Sequence, residues 1–227
     1  MNFDEIPGLS YTANAIDEKQ ETRLIAWINS NTWVPVKSGD AKANEKASRE
    51  VQQFGTHYDY GTRALGETTL IPKILINLAK QLGLPKPENI IINKYEPGEG
   101  IASHTDNRIF GDTVASLSLL SMVPMDLQQG NTLHTIQLEP RSLIKLTGQA
   151  RLHWTHGITS RKSDIYMGKK IMRSKRISIT FRTLESSDRE KAKIKAKNKT
   201  KKISVDESVD ESYQSDEEKS INEWDLV

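Results

Sequence analysis

Cysteine is absent from all 227 residues, which removes disulfides, thiolate metal sites and cysteine nucleophiles from consideration at once. Histidine is scarce, with five copies at positions 57, 104, 134, 153 and 156, so any metal site must be assembled from very few imidazoles and from carboxylates. No apolar run approaches the ~20 residues that a helix needs to cross a bilayer. The opening residues, MNFDEIPGLS, lack a basic segment leading into an apolar one, which argues against a secretory leader. These absences predict a soluble intracellular protein with no membrane partner, located in the nucleus, the cytoplasm or both.

With 36% of its residues hydrophobic, a chain of this length supports one sizeable core and a tail. The formal net charge of +2 is uninformative, because it averages two opposed blocks. Residues 189–202 carry eight basic side chains, and SVDESVDES follows from Ser204. The blocks have almost nothing apolar to bury, so residues 185–227 are expected to be a disordered basic, then acidic tail beyond a domain at 1–184. The basic block suits nuclear import or nucleic-acid contact, and equally a solubilising tail. Ser204, Ser208 and Ser215 each precede acidic residues, and their phosphorylation would strengthen shielding of the basic block.

The stretch around which the rest is organised is IINKYEPGEGIASHTD, residues 91–106. Asn93 and Tyr95 are two apart and project from one face of a strand. Pro97, Gly98 and Gly100 break that strand. His104 and Asp106 repeat the spacing, so that an imidazole nitrogen and a carboxylate oxygen can converge on one ion, two thirds of a 2-His-1-carboxylate site. His57-Tyr58-Asp59 is a second H-x-D and reads as a decoy. Further along, His156-Gly157-Ile158 precedes RISITFR at residues 176–182. On a strand Arg176, Ser178, Thr180 and Arg182 share one polar face and Ile177, Ile179 and Phe181 the other. Two guanidinium groups on one face suit a small dicarboxylate.

The ordered set N-x-Y, H-x-D, H-G-I and R-x-S-x-T-F-R resembles the AlkB family of iron(II) and 2-oxoglutarate dependent dioxygenases. It is most similar to the branch that resembles the oxygenase domain of the tRNA-modifying AlkB homologue, through WTHGIT at 154–159 and Arg161-Lys162. The resemblance implies a mainly β fold with flanking helices, a double-stranded β-helix or jelly-roll core, and Fe(II) held by His104, Asp106 and His156. It implies 2-oxoglutarate and O₂ as cosubstrates. Arg176 and Tyr95 would face the distal carboxylate, Arg182 and Asn93 the end nearest the metal, with Ser178 and Thr180 in support. The implied reaction is hydroxylation or oxidative demethylation of a modified base in tRNA or in alkylated DNA or RNA. A protein side chain, such as that of a histone, is the rival substrate, and a nucleic-acid or histone binding module with weak catalysis is the rival of another class. The length leaves no room for a separate RNA-recognition or methyltransferase domain, so substrate delivery is expected to need partner proteins.

Several segments have two readings. Residues 48–63 hold Arg49, Gln52, Phe54, Tyr58 and Tyr60; sequence alone suits a hairpin that caps the core, while the resemblance implies a lid whose Arg49, Gln52, Phe54 and Tyr58 meet a nucleobase. Residues 160–175, with Arg161 as a further substrate candidate, are a cationic loop that either touches phosphates or is solvated. Residues 3–9 read as an extended lead-in, 16–30 as an amphipathic helix with Leu24, Trp27 and Ile28 inward, 33–36 as an edge segment and 37–46 as a surface loop. Residues 70–82 form a core helix, with Pro72 near its start and Gly83 beyond its end. Residues 113–122 form a strand buried on both faces, with Ser116, Ser118 and Leu120 on one of them, and 128–132 join a hairpin. Read as strand, residues 151–156 send His153 and His156 to opposite faces, and the Gly-Ile context selects His156. His134 and His153 read as exposed or hydrogen-bonded.

Overall fold

The computed structural model describes residues 5–36 and 49–186. The expectations for residues 37–46 and for the tail lie outside the described residues, apart from Glu185 and Ser186. The elements run β1 (Leu9–Thr12), α1 (Glu18–Asn29), β2 (Val34–Val36), β3 (Arg49–Asp59), β4 (Ala64–Thr68), α2 (Lys73–Gln81), β5 (Asn89–Tyr95) and β6 (Ile101–His104). They continue through β7 (Phe110–Leu119), β8 (Val123–Gln129), β9 (Thr132–Leu138), β10 (Leu143–Leu146), α3 (Gly148–Leu152), β11 (Thr155–Ile158), β12 (Ser163–Tyr166), β13 (Lys169–Met172) and β14 (Arg176–Leu184). A large sheet in the order β1-β10-β7-β14-β5-β3-β2, with β4 beside β3, stands against a smaller one in the order β6-β11-β8-β9. This is the double-stranded β-helix that the motif order predicts.

Helices α1 and α2 cover one face of the large sheet. Leu24, Ile28, Leu75 and Leu78 pack there with Ile90, Ile92, Leu117, Leu119, Ile177, Ile179 and Phe181, each such burial contributing about 1.5–3 kcal/mol. A second core, including Leu9, Met125, Leu127, Ile136, Leu138, Ile144, Trp154 and Ile158, lies between the sheets. Helix α1 starts at Glu18 because Asp17 and Gln20 close a reciprocal capping box. Among the described residues, no helix is long and apolar enough to cross a membrane.

Four segments differ from the expectation. Strand β1 begins where the extended lead-in was to end. Leu120 leaves the face of Ser116 and Ser118, since β7 stops at Leu119 and Leu120 takes a φ of 71°. Residues 151–156 are not one strand: Arg151 and Leu152 close the short helix α3, His153 caps it, and β11 starts at Thr155. Residues 160–175 contain the hairpin β12–β13, anchored where Arg173 donates to both Asp164 carboxylate oxygens, at 2.6 and 2.9 Å.

Candidate active site

Strand β14 is hydrogen-bonded on both sides, to β5 and β7. The helices claim its apolar face, so Arg176, Ser178, Thr180 and Arg182 must point the other way, into a cavity between the sheets. Asn93 and Tyr95 pair directly across from Ser178 and Arg176 and line the same cavity, as do Arg49, Tyr60, Ser116, His104, Asp106 and His156.

At one end, β6 and β11 pair with His104 opposite His156, and their ring centroids are 4.5 Å apart. Gly157 permits this approach, because a Cβ there would lie 2.9 Å from Ser103 Cα. The His104 Nδ1–H donates to the Ala102 carbonyl at 2.8 Å, which leaves Nε2 as the free lone pair. His156 Nε2 stands 3.6 Å from Asp106 Oδ2. Burial lowers the His156 pKa to about 4, against the opposing pull of Asp106, so the ring is neutral and able to ligate at pH 7. Burial pushes the Asp106 carboxyl up, but Arg182, His156, His104 and Arg151 together hold it well below the usual carboxylate range.

Arg182 donates from Nε (2.9 Å) and Nη2 (2.7 Å) to Asp106 Oδ1 and from Nη1 to Asn89 Oδ1 at 3.3 Å. Asp106 Oδ2 is buried with no hydrogen-bond partner. An orphaned carboxylate oxygen facing a neutral imidazole nitrogen is the donor chemistry that a divalent first-row metal takes. The residues therefore fit Fe(II), although no group of three ligands is drawn together into a preformed cation site among the described residues.

At the other end Arg176 is 5% exposed. Its Nη2 donates to Ser118 Oγ at 2.9 Å, its guanidinium lies 5.5 Å from the Tyr95 ring centroid, and its Nε is buried without a partner. Burial lowers its pKa to about 10, so it stays cationic at neutral pH. Tyr95 is raised by burial despite the neighbouring arginines; its hydroxyl remains protonated, able to donate.

The sequence profile of the 2OG-Fe(II) oxygenase superfamily matches residues 9–182. The chain is 34% identical over 170 residues to tRNA (carboxymethyluridine(34)-5-O)-methyltransferase ALKBH8 of Mus musculus, a match covering 70% of this chain and 25% of that protein. It thus spans about a quarter of that relative. This chain belongs to the AlkB family of 2OG-Fe(II) oxygenases. A second relative, uncharacterized protein L905 of Acanthamoeba polyphaga mimivirus, is 33% identical over 78% of this chain and 85% of its own length. The solved structure of OsALKBH1 superposes with a TM-score of 0.59 at 18% identity, covering 78% of this chain and 97% of that one, a likeness of fold. As a 2OG-Fe(II) oxygenase of the AlkB family the chain is an oxidoreductase, and family membership implies Fe(II) and 2-oxoglutarate.

Within this AlkB-family cavity the substrate candidates separate. Arg49 lines it, with Nε donating to Asn93 Oδ1 at 3.0 Å and its guanidinium 5.1 Å from the Tyr60 ring centroid. Gln52 and Phe54 do not: they pair with Ile92 and Ile90 and therefore share the helix-covered face. Gln52 donates to the Ile28 carbonyl at 2.9 Å, and Phe54 packs on Trp27. Tyr58 meets Tyr60 edge-on and Phe110 at a tilt and accepts a hydrogen bond from Asn107 at 3.2 Å. Arg161 pairs with Asp164 at the base of the β12–β13 hairpin, outside the cavity lining. Neither His57 nor Asp59 lines the cavity; His57 meets Thr69 and Asp59 accepts from the Gly61 and Thr62 amides. His153 is exposed, and His134 lies beside Trp154.

Sequence reasoning missed Ser118, Asn89 and Arg151 as supports of the site. Ser118 carried a signal, the alternation Ser116-Leu117-Ser118 in the otherwise apolar stretch 114–119. Asn89 carried one in register only, being opposite Arg182. Tyr60 was visible beside Tyr58, but nothing in the sequence indicated that it, of the two, lines the cavity.

Proposed function

We propose that His104, Asp106 and His156 hold Fe(II), that Arg176 and Tyr95 bind the distal carboxylate of 2-oxoglutarate, and that the substrate is a modified base in nucleic acid. The observation that carries this reading is the pair of unsatisfied ends in one cavity: Asp106 Oδ2 facing His156 at one, and the half-paired Arg176 at the other. When bound, Fe(II) supplies the redox chemistry that couples O₂-dependent decarboxylation of 2-oxoglutarate, giving succinate and CO₂, to hydroxylation of a substrate C–H bond.

The chain's own residues do the rest. Arg176 and the Tyr95 hydroxyl give charge-assisted hydrogen bonds, each worth about 1.5–3 kcal/mol. Asn93, Ser178 and Thr180 line the path between the ends, with Asn93 oriented by Arg49. Arg182 commits its nitrogens to Asp106 and Asn89, so its influence nearest the metal is exercised through Asp106. Tyr60, beside Arg49 and Tyr58, offers an aromatic face at the cavity for a base. Where the carbon oxidised is an N-methyl group, the hemiaminal product collapses to formaldehyde and the bare nitrogen.

Nucleic acid is favoured over a protein side chain by the Arg49–Tyr60 pair, by the cationic hairpin around Lys169 and Lys170, by the basic block 189–202, and by the tRNA named for the mouse relative. The same block suits a nuclear as well as a cytoplasmic location, and we take residues 1–184 as the catalytic unit. The test is succinate release from 2-oxoglutarate, with Fe(II), in the presence of tRNA, alkylated single-stranded DNA or histone peptides, followed by mass spectrometry of the substrate. Stimulation by a nucleic acid with a matching change in one nucleoside supports the reading. Stimulation by the peptides alone transfers the activity to protein.

A further inference from the structure

Arg151 is the most deeply buried arginine among the described residues, at 2% exposure, yet its hydrogen bonds go to main-chain carbonyls rather than to a carboxylate. Nη1 donates to the Asp106 carbonyl at 2.8 Å, and Nη2 to those of Asn107 (2.7 Å) and Phe110 (3.1 Å). Its Nε has no partner. Burying a guanidinium whose hydrogen bonds all go to neutral acceptors is costly, and the nearby Asp106 and Asp112 charges offset part of that cost.

What the arginine secures is the loop between β6 and β7. Two carbonyls of that loop and that of Phe110, the first residue of β7, converge on one guanidinium, and the Phe110 amide closes a turn onto the Asn107 carbonyl at 3.1 Å. The loop carries Asp106, whose Oδ1 is fixed separately by Arg182. Asp106 is therefore held twice, through its backbone by α3 and through its side chain by β14. Arg151 lies in the segment that leads, five residues on, to His156, so it ties the two ligand-bearing segments together. The same loop places Asn107 against the Tyr58 hydroxyl, which carries the restraint outward to the aromatic wall.

We infer that Arg151 is a positioning residue for the metal centre, locking residues 105–110 so that Asp106 Oδ2 stays opposite His156 before any ion binds. This rests on the proposed ligand set. A merely structural role is separated from it by a matched control: Arg173, whose side chain is 6% exposed in its pair with Asp164 and which belongs to a different hairpin.

The experiment compares wild type, Arg151→Met, Arg151→Lys, Arg173→Met and Asp106→Ala. Hydrogen exchange of the metal-free protein, thermal midpoint and Mn(II) affinity by calorimetry are measured for each. In Arg151→Met, exchange across residues 105–110 should accelerate and Mn(II) affinity should fall about 10–100-fold, the range for groups that orient metal ligands. Arg151→Lys, with an ammonium that reaches fewer carbonyls, should recover part of both. Arg173→Met should lose thermal midpoint with neither effect. Wild-type exchange and Mn(II) affinity in folded Arg151→Met would overturn the inference; if that variant fails to fold, the same result in Arg151→Lys does so. Equal Mn(II) binding by wild type and Asp106→Ala would overturn the ligand set instead, while exchange of the metal-free protein would still report whether Arg151 holds the loop.

Discussion

Strands β14 and β3 stand two places apart in one sheet, and both mix polar with apolar side chains, yet they use that mixture oppositely. In β14 the polar set faces the cavity and the apolar set the helices. In β3 Gln52 faces the helices, where its amide ties to the end of α1, and Arg49 supplies the cavity contact. Alternation fixes which residues share a face; it does not fix which face is inside. That is decided by what covers the sheet, and α1 presents a carbonyl end that accepts Gln52 as readily as a methyl.

The difference can be broken experimentally. The largest effect is expected from Arg182→Ala, which leaves the buried Asp106 carboxylate without its partner, a loss of about 3–5 kcal/mol; 2-oxoglutarate turnover should fall to background and the thermal midpoint should drop. Next, Arg176→Ala should raise the 2-oxoglutarate concentration needed for half-maximal turnover by about 10–100-fold, since the distal carboxylate supplies binding energy remote from the reacting bond. Titration of the cosubstrate checks it, and an unchanged requirement removes Arg176 from the pocket.

On β3 the sign reverses. Gln52→Ala should cost about 0.5–1.5 kcal/mol by removing a buried hydrogen bond to the Ile28 carbonyl, lowering the thermal midpoint by a few degrees, while the cosubstrate requirement stays at the wild-type value. A changed requirement with an unchanged midpoint would return Gln52 to the cavity. The smallest effect belongs to His153→Ala: exposed at the end of α3, it should alter neither midpoint nor turnover, and loss of turnover would reopen the choice of distal histidine.

The legible parts were those whose chemistry repeats at strand spacing. N-x-Y, H-x-D and the alternation of residues 176–182 each put functional groups on one face within a few residues, and the motif order gave the fold. The β12–β13 hairpin was hidden because each strand has four residues and its isoleucines, Ile165 and Ile171, are exposed, so no half-buried alternation marks it. Helix α3 is too short to display a helical period, so RLHWTH, residues 151–156, read as strand. Arg151 left no trace because its partners are carbonyls, which every residue has. Gln52 and Phe54 were misdirected by position: they lie between Arg49 and Tyr58, in a segment where alternate residues serve different cores.

The central claim is that one cavity holds a metal ion at the His104, Asp106 and His156 end and 2-oxoglutarate between that ion and Arg176. Linked binding tests it most directly, because a ligand that bridges two sites must strengthen each through the other. Mn(II) affinity is measured by calorimetry with and without 2-oxoglutarate, under argon, in wild type and Arg176→Ala. The account predicts that 2-oxoglutarate tightens Mn(II) binding at least tenfold in wild type and far less in Arg176→Ala. Mn(II) binding indifferent to 2-oxoglutarate in both proteins would contradict it.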